Sequence, residues 1–226
     1  MWKFILFFLL KWNLMLSGLS YANSDNLDFL VGVSPGFLNV RTPSDTGANY
    51  TAIGLSTGIS YKLGQHKIGM MSKVLFGQKN NGQDVMLSSL SMETDERIQF
   101  SNFTPYYQYN PSFLSRMDSS YFIKLGTTST LTTFRFRKQY DEDKKPILRK
   151  STMSGRGIDV SVGWERGLHE GSKLYEIAIN YIQVNPGKPK LVDVTDFTNA
   201  ITLTRVDERP IEKVQVFMLS FNQKLF

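Results

Sequence analysis

The sequence predicts an all-β protein: a closed, antiparallel, up-and-down barrel of eight strands that crosses a membrane. Three observations carry this. Apolar residues recur at every second position through long stretches, most clearly Tyr50 to Leu63. A strand tilted through a bilayer needs roughly 9–11 residues, whereas strands of globular domains usually run about 5–6. The connections between these stretches alternate between shorter turns and long polar loops. Past the N-terminus, no apolar run approaches the roughly 20 residues of a spanning helix. Lipid offers no partner to an open sheet edge, so a membrane protein without such helices must close its sheet.

The 226 residues suit one barrel, and no Pro/Ser-rich linker divides them. The formal charge is +6, with basic residues dispersed among acids. That is not a nucleic-acid footprint, and no nucleic-acid partner is expected. The absence of cysteine excludes disulfides, thiolate metal sites, a cysteine nucleophile and a lipoprotein-type acyl anchor. Lys3, the apolar runs Phe4 to Leu10 and Leu14 to Leu19, and the small residues Ser20 and Ala22 resemble a secretory signal peptide. Residues 1–22 are expected to be removed, leaving 23–226 as the barrel domain.

Successive side chains on a strand point to opposite faces. Strand one, Asp28 to Val40, puts Phe29, Val31, Val33 and Phe37 on one face, and Pro35-Gly36 predicts a bulge or bend. Arg41 to Asn49 has turn chemistry in Pro43, Ser44, Asp45 and Gly47. Strand two, Tyr50 to Leu63, sends Thr51, Ile53, Leu55, Thr57, Ile59 and Tyr61 outward. Gly64-Gln65 turns into strand three, His66 to Gly77, with Ile68, Met70, Val74 and Phe76 opposed to Lys67, Gly69, Met71 and Lys73. Gln78 to Arg97 is a long polar loop. Strand four, Ile98 to Tyr109, carries Phe103, Tyr107 and Tyr109 outward, with Pro105 on the same face.

Strand five, Ser120 to Phe136, alternates Tyr121, Ile123 and Leu125 with Lys124, Gly126 and Thr128. Arg137 to Gly155 is charged and is expected to be a long loop. Strand six, Arg156 to Arg166, opposes Ile158, Val160, Val162 and Trp164 to Asp159, Ser161, Gly163 and Glu165. Strand seven, Lys173 to Val184, opposes Tyr175, Ile177, Ile179 and Tyr181 to Glu176, Ala178 and Asn180. Asn185 to Pro210 is the longest loop; Lys190 to Phe197 and Ala200 to Val206 alternate within it. A hairpin extending beyond the bilayer is the preferred reading, with a ten-strand barrel as the alternative. The final strand, Ile211 to Phe226, sends Phe217, Leu219 and Phe221 outward.

Short turns follow strands two, four and six, and long loops follow three, five and seven. Outer-membrane barrels have this pattern, with short periplasmic turns and longer extracellular loops. That topology brings Tyr61, Tyr107, Tyr109, Tyr121, Trp164 and Tyr175 to the periplasmic ends of their strands, facing outward. Interfacial tyrosine and tryptophan form such girdles because one end of the ring prefers hydrocarbon and the other water.

With eight such strands the chain resembles the small outer-membrane barrels of the OmpA-domain and OmpX type, over roughly Asp28 to Phe226. The likeness lies in pattern, topology and ending rather than in a local motif. It implies a monomer in the bacterial outer membrane, surrounded by lipid bilayer and lipopolysaccharide. It also implies recognition of the C-terminal strand, ending in Phe226, by the barrel assembly machinery.

An eight-stranded barrel is just wide enough for side chains to fill. The inward set includes Lys62, Lys67, Lys73, Lys124, Asp159, Glu165 and Glu176, and buried charges must pair. A salt-bridged plug is therefore expected, with a narrow pore as the alternative. Small barrels that act on outer-leaflet lipid use a histidine with serine and an acid near the extracellular rim. Here His66 and His169-Glu170-Gly171-Ser172 fall in periplasmic turns, the wrong side for that chemistry. The basic residues of Arg137 to Gly155 can contact lipopolysaccharide phosphates or remain solvated. No catalytic, metal or cofactor site is expected. The function implied is non-enzymatic, with surface loops serving contact, adhesion or envelope integrity. The rivals are a small transport pore, a lipid-modifying enzyme and a soluble lipocalin-type barrel.

Overall fold

The computed structural model describes residues 26–41, 48–79, 97–114, 119–139, 146–166, 175–187, 190–194, 203–206 and 211–225. The expected leader, the loop 80–96, His169 to Ser172 and Phe226 lie outside these residues. The strands are β1 (Leu27–Arg41), β2 (Ala48–Leu63), β3 (His66–Lys79), β4 (Arg97–Tyr109), β5 (Ser119–Gln139), β6 (Pro146–Arg166), β7 (Tyr175–Pro186), β8 (Lys190–Val194), β9 (Leu203–Val206) and β10 (Lys213–Lys224).

Every neighbouring pair is antiparallel, and the ring β1-β2-β3-β4-β5-β6-β7-β10 closes where β1 meets β10. The barrel therefore has eight strands. Alternation is the reason these segments become strands: apolar and small residues at period two give each segment one face for lipid and one for the interior. A β2–β3 turn of two residues joins Leu63 to His66, with Gly64 at a φ of 64°. Glycine reaches that left-handed region without a Cβ penalty.

The outward rows are Val31, Val33 and Phe37 on β1, Ile53 and Leu55 on β2, Ile123, Leu125 and Leu131 on β5, and Phe217, Leu219 and Phe221 on β10, all exposed. No second sheet or helix covers them among the described residues. No described helix is long and apolar enough to cross a membrane, which says nothing of a crossing by strands.

Two expectations are corrected here. Pro35-Gly36 makes no bulge: β1 pairs with β2 in unbroken register from Leu27↔Tyr61 to Val40↔Ala48. The register with β10 is the same on both sides of Ser34 and Pro35, which drop out of that ladder alone. Pro105 behaves alike, paired to Met70 on β3 but absent from the β4–β5 ladder. Each proline omits one donor without shifting the strand, as proline must in a ladder.

The segment Arg137 to Gly155 is not a long loop. β5 and β6, 21 residues each, stay paired from Ser119↔Arg166 to Gln139↔Pro146. They outrun their other neighbours β4 and β7, of 13 and 12 residues. On this projecting hairpin β8 pairs with β6 at Leu148–Thr152, and β9 pairs with β8. The two short strands form a hairpin outside the ring, hung on β6.

Candidate functional site

The inward positions divide the barrel interior into two layers. In the half nearer the short turns most are polar or charged, interleaved with buried Leu30, Met71, Tyr106 and Phe122. Lys67 donates to Asp28 at 2.9 Å and to both Glu165 oxygens at 2.9 and 3.0 Å. Lys224 meets the other oxygen of Asp28 at 2.5 Å, tying the last strand to the first at the seam. Gln108 donates to Glu165 at 2.5 Å.

Lys124 pairs with Glu176 at 2.6 Å and lies over the rings of Phe122 and Tyr106. Asn222 donates to the second Glu176 oxygen at 2.9 Å and accepts from Ser56 at 2.7 Å. Lys73 reaches Asp159 at 3.3 Å and Asn180 at 3.0 Å. Asn180 continues to Ser220 at 2.7 Å, and Ser220 to Ser34 at 2.9 Å. Four lysines thus face four carboxylates with no net charge. Buried ions are tolerated only when paired and hydrogen-bonded in this way.

In the half nearer the long loops the interior is mostly apolar and carries no charge, with Thr130, Thr132 and Ser151 buried among it. Leu38, Val40, Tyr50, Ala52, Leu75, Ile98, Phe100, Phe134, Met153, Ile182, Val184, Val214, Val216 and Met218 form one cluster, each at most 5% exposed. All eight ring strands contribute. The layer draws on every wall of the barrel, and the buried hydroxyls among it, Thr130, Thr132, Ser151 and Tyr50, are scattered between packed aliphatic and aromatic groups.

Of the charges expected inside, Lys67, Lys73, Lys124, Asp159, Glu165 and Glu176 are buried and brought together as described. Lys62 is not. It lies one residue before the end of β2, beside the turn, and is exposed; its inward parity only takes it to the rim. Asp28 and Lys224 are members that the pattern reading left out. Asp28 shares parity with Leu30 and Gly32, and Lys224 with Ser220 and Asn222, so extending the alternation to the strand ends finds both. The apolar layer was also missed, because alternation marks which face a residue takes and not what fills the interior.

Tyr107, Tyr109, Tyr121 and Tyr175 are exposed on the outer surface, with Tyr61 and Trp164 half-buried beside them. Cross-strand pairs link several: Tyr121 with Trp164, and Tyr107 and Tyr61 each with Ile68. His66 belongs to this outer band. It shares a 2.5 Å hydrogen bond with the Tyr107 hydroxyl and stacks on Tyr107 and Tyr109, with ring centroids at 5.7 and 5.3 Å. Among the described residues no group of three His, Cys, Asp or Glu side chains is placed to hold a metal ion.

No family model matches the chain, and no curated protein matches it. Solved structures do. A major outer membrane protein from Thermus thermophilus superposes with a TM-score of 0.60 at 13% identity, covering 88% of this chain and 99% of that one. Neisserial surface protein A gives 0.48 at 9% identity, covering 87% and 95%. The attachment invasion locus protein of Yersinia pestis gives 0.43 at 10%, covering 88% and 98%. The first of these carries the fold comparison. The closed ring and its uncovered apolar exterior are the fold of a small outer-membrane β-barrel, and the chain has that fold.

Proposed function

We propose that this outer-membrane barrel is a sealed, non-enzymatic protein that works through its extracellular face, in contact or adhesion or in supporting the envelope. The observation that carries the reading is the apolar layer. Fourteen buried side chains from all eight ring strands meet across the interior. A continuous water path would have to solvate that surface, at roughly 25 cal/mol per Å² of apolar area. The ion pairs below it add a second barrier, since a hydrated path would break them. The projecting β5–β6 hairpin, with β8 and β9 attached, supplies the surface that a partner would meet.

The test is electrical. The folded chain, inserted in planar bilayers, is expected to pass no steady current at about 100 mV. Reproducible open steps of fixed size would replace this reading with the small-pore alternative.

A further inference from the structure

The outer surface carries a feature that neither the plug nor the apolar belt explains. All four described carboxylates of the ring strands, Asp28, Asp159, Glu165 and Glu176, point inward and are buried. At the loop ends of the strands, basic side chains point outward: Arg41 on β1, Lys213 on β10 and Arg156 on β6. Arg41 and Lys213 are cross-strand partners. Arg156 pairs with Asn185 on β7, which lies one residue beyond the Val184↔Val214 rung and therefore beside Lys213. Glu212 is the one described acid nearby. Its backbone N–H donates to the Arg41 carbonyl at 2.9 Å, but its parity is that of inward-facing Val214, at the barrel mouth.

Directly below these cations sit two hydrogen-bonded amide relays. Arg41 Nε donates to Asn39 Oδ1 at 3.2 Å, and Asn39 Nδ2 donates to Asn49 Oδ1 at 2.6 Å. Gln215 Nε2 donates to the Tyr181 hydroxyl at 2.8 Å, which donates to Gln183 Oε1 at 2.9 Å. Asn39 and Gln215 are cross-strand partners, so the relays adjoin. Among the described residues the first relay holds Arg41 by Nε, with its terminal guanidinium nitrogens directed to no other side chain.

Height decides what that acceptor is. At a rise of about 3.3 Å per residue and a tilt of about 40°, the three cations and the Asn39–Asn49 relay stand roughly 25–35 Å above the turn-side ends of their strands, with the Gln215–Tyr181–Gln183 relay lower. The apolar band of such a barrel is about 25 Å tall. The cluster therefore lies at the outer-leaflet headgroups, where amides facing outward are not stranded in hydrocarbon.

We propose that this outward patch on β2, β1, β10, β7 and β6 binds a phosphorylated glycolipid of the outer leaflet. Arg41, Lys213 and Arg156 take its phosphates by charge-assisted hydrogen bonds, and the Asn39–Asn49 relay takes sugar hydroxyls. Charge complementarity favours this occupant: among the described residues of the ring strands, the outward surface offers cations without carboxylates at the level where anionic headgroups lie. The site is outside the barrel and does not depend on whether the interior is sealed.

The experiment titrates bis-phosphorylated lipid A into the full folded chain in detergent micelles and counts bound lipid by native mass spectrometry. Parent protein is compared with Arg41→Gln/Lys213→Gln/Arg156→Gln, and with Arg166→Gln at the opposite end as a control. Heat-modifiable migration on gels verifies folding. The triple variant is expected to bind at least about tenfold more weakly, the control to bind as the parent does, and dephosphorylated lipid to bind as weakly as the triple variant binds lipid A. If the triple variant does not fold, Arg41→Gln alone is read, with a loss of about fivefold expected. Equal binding by parent and variants, or indifference to the phosphates, would overturn the proposal. So would binding of a heparin oligosaccharide in preference to lipid A, which would make the patch a polysaccharide surface.

Discussion

The two halves of the barrel interior obey the same period-two rule and are filled by different chemistry. Toward the turns, Lys67, Lys73, Lys124 and Lys224 neutralise Asp28, Asp159, Glu165 and Glu176. Toward the loops, Leu38, Leu75, Phe100, Val216 and their neighbours pack without a charge. The contrast bears on register. Around mid-barrel both faces of a strand are apolar, as in Phe37-Leu38 or Phe217-Met218. A one-residue slip, which exchanges the faces, costs little there. In the turn-side half the same slip drives lysines and carboxylates into lipid, a cost of about 2–4 kcal/mol for each lysine at mid-bilayer depth. The polar half fixes which face looks inward, and the apolar half supplies close packing.

That division can be broken most forcefully at Lys124. Lys124→Met leaves Glu176 buried without its cation, and unfolding in urea from lipid vesicles is expected to show a loss of about 3–5 kcal/mol. The pair Lys124→Met/Glu176→Leu is expected to restore most of it. If the double variant is as unstable as the single one, the layer contributes more than mutual neutralisation.

Leu75→Ala comes next. It opens a cavity in the apolar layer and is expected to cost about 2–5 kcal/mol in the same assay, against less than about 1.5 for Leu75→Met. At the seam the effect is smaller. Lys224→Met should cost about 1 kcal/mol or less, because Lys67 still holds Asp28 and Lys224 is partly exposed, with 24% of its side chain accessible. The smallest change is outside the barrel. His66→Phe keeps the stacking on Tyr107 and Tyr109 and should alter stability by no more than about 0.5 kcal/mol. A larger fall would give the hydrogen bond between His66 and Tyr107 a structural weight that its exposure does not suggest.

Strand identity was legible wherever the two faces differ in polarity. Ile158 to Glu165 alternates without interruption, and its outward and inward residues are those that the pattern assigns. The extension of β6 down to Pro146 was not legible, because Lys144-Lys145 and Arg149-Lys150 are the composition of a solvated loop while the ladder to β5 forms through backbone groups alike in every residue. Lys62 was placed inside by parity, but parity carries no information about depth, and near a strand end a long side chain reaches water. The interior pairs span sequence separations such as the 98 residues between Lys67 and Glu165. Strand order brings them together, and no local pattern announces which lysine meets which acid.

The sealed interior is the claim on which most of this rests, and the chain's lack of cysteine makes it directly testable. Single cysteines at Val216 in the apolar layer, Ser220 in the polar layer and exposed Arg41 can be challenged with a membrane-impermeant maleimide after folding into vesicles. Labelling is expected at Arg41→Cys alone, with Val216→Cys and Ser220→Cys reacting only after unfolding. Rapid labelling of folded Val216→Cys would mean that water reaches the middle of the barrel, and would contradict the account.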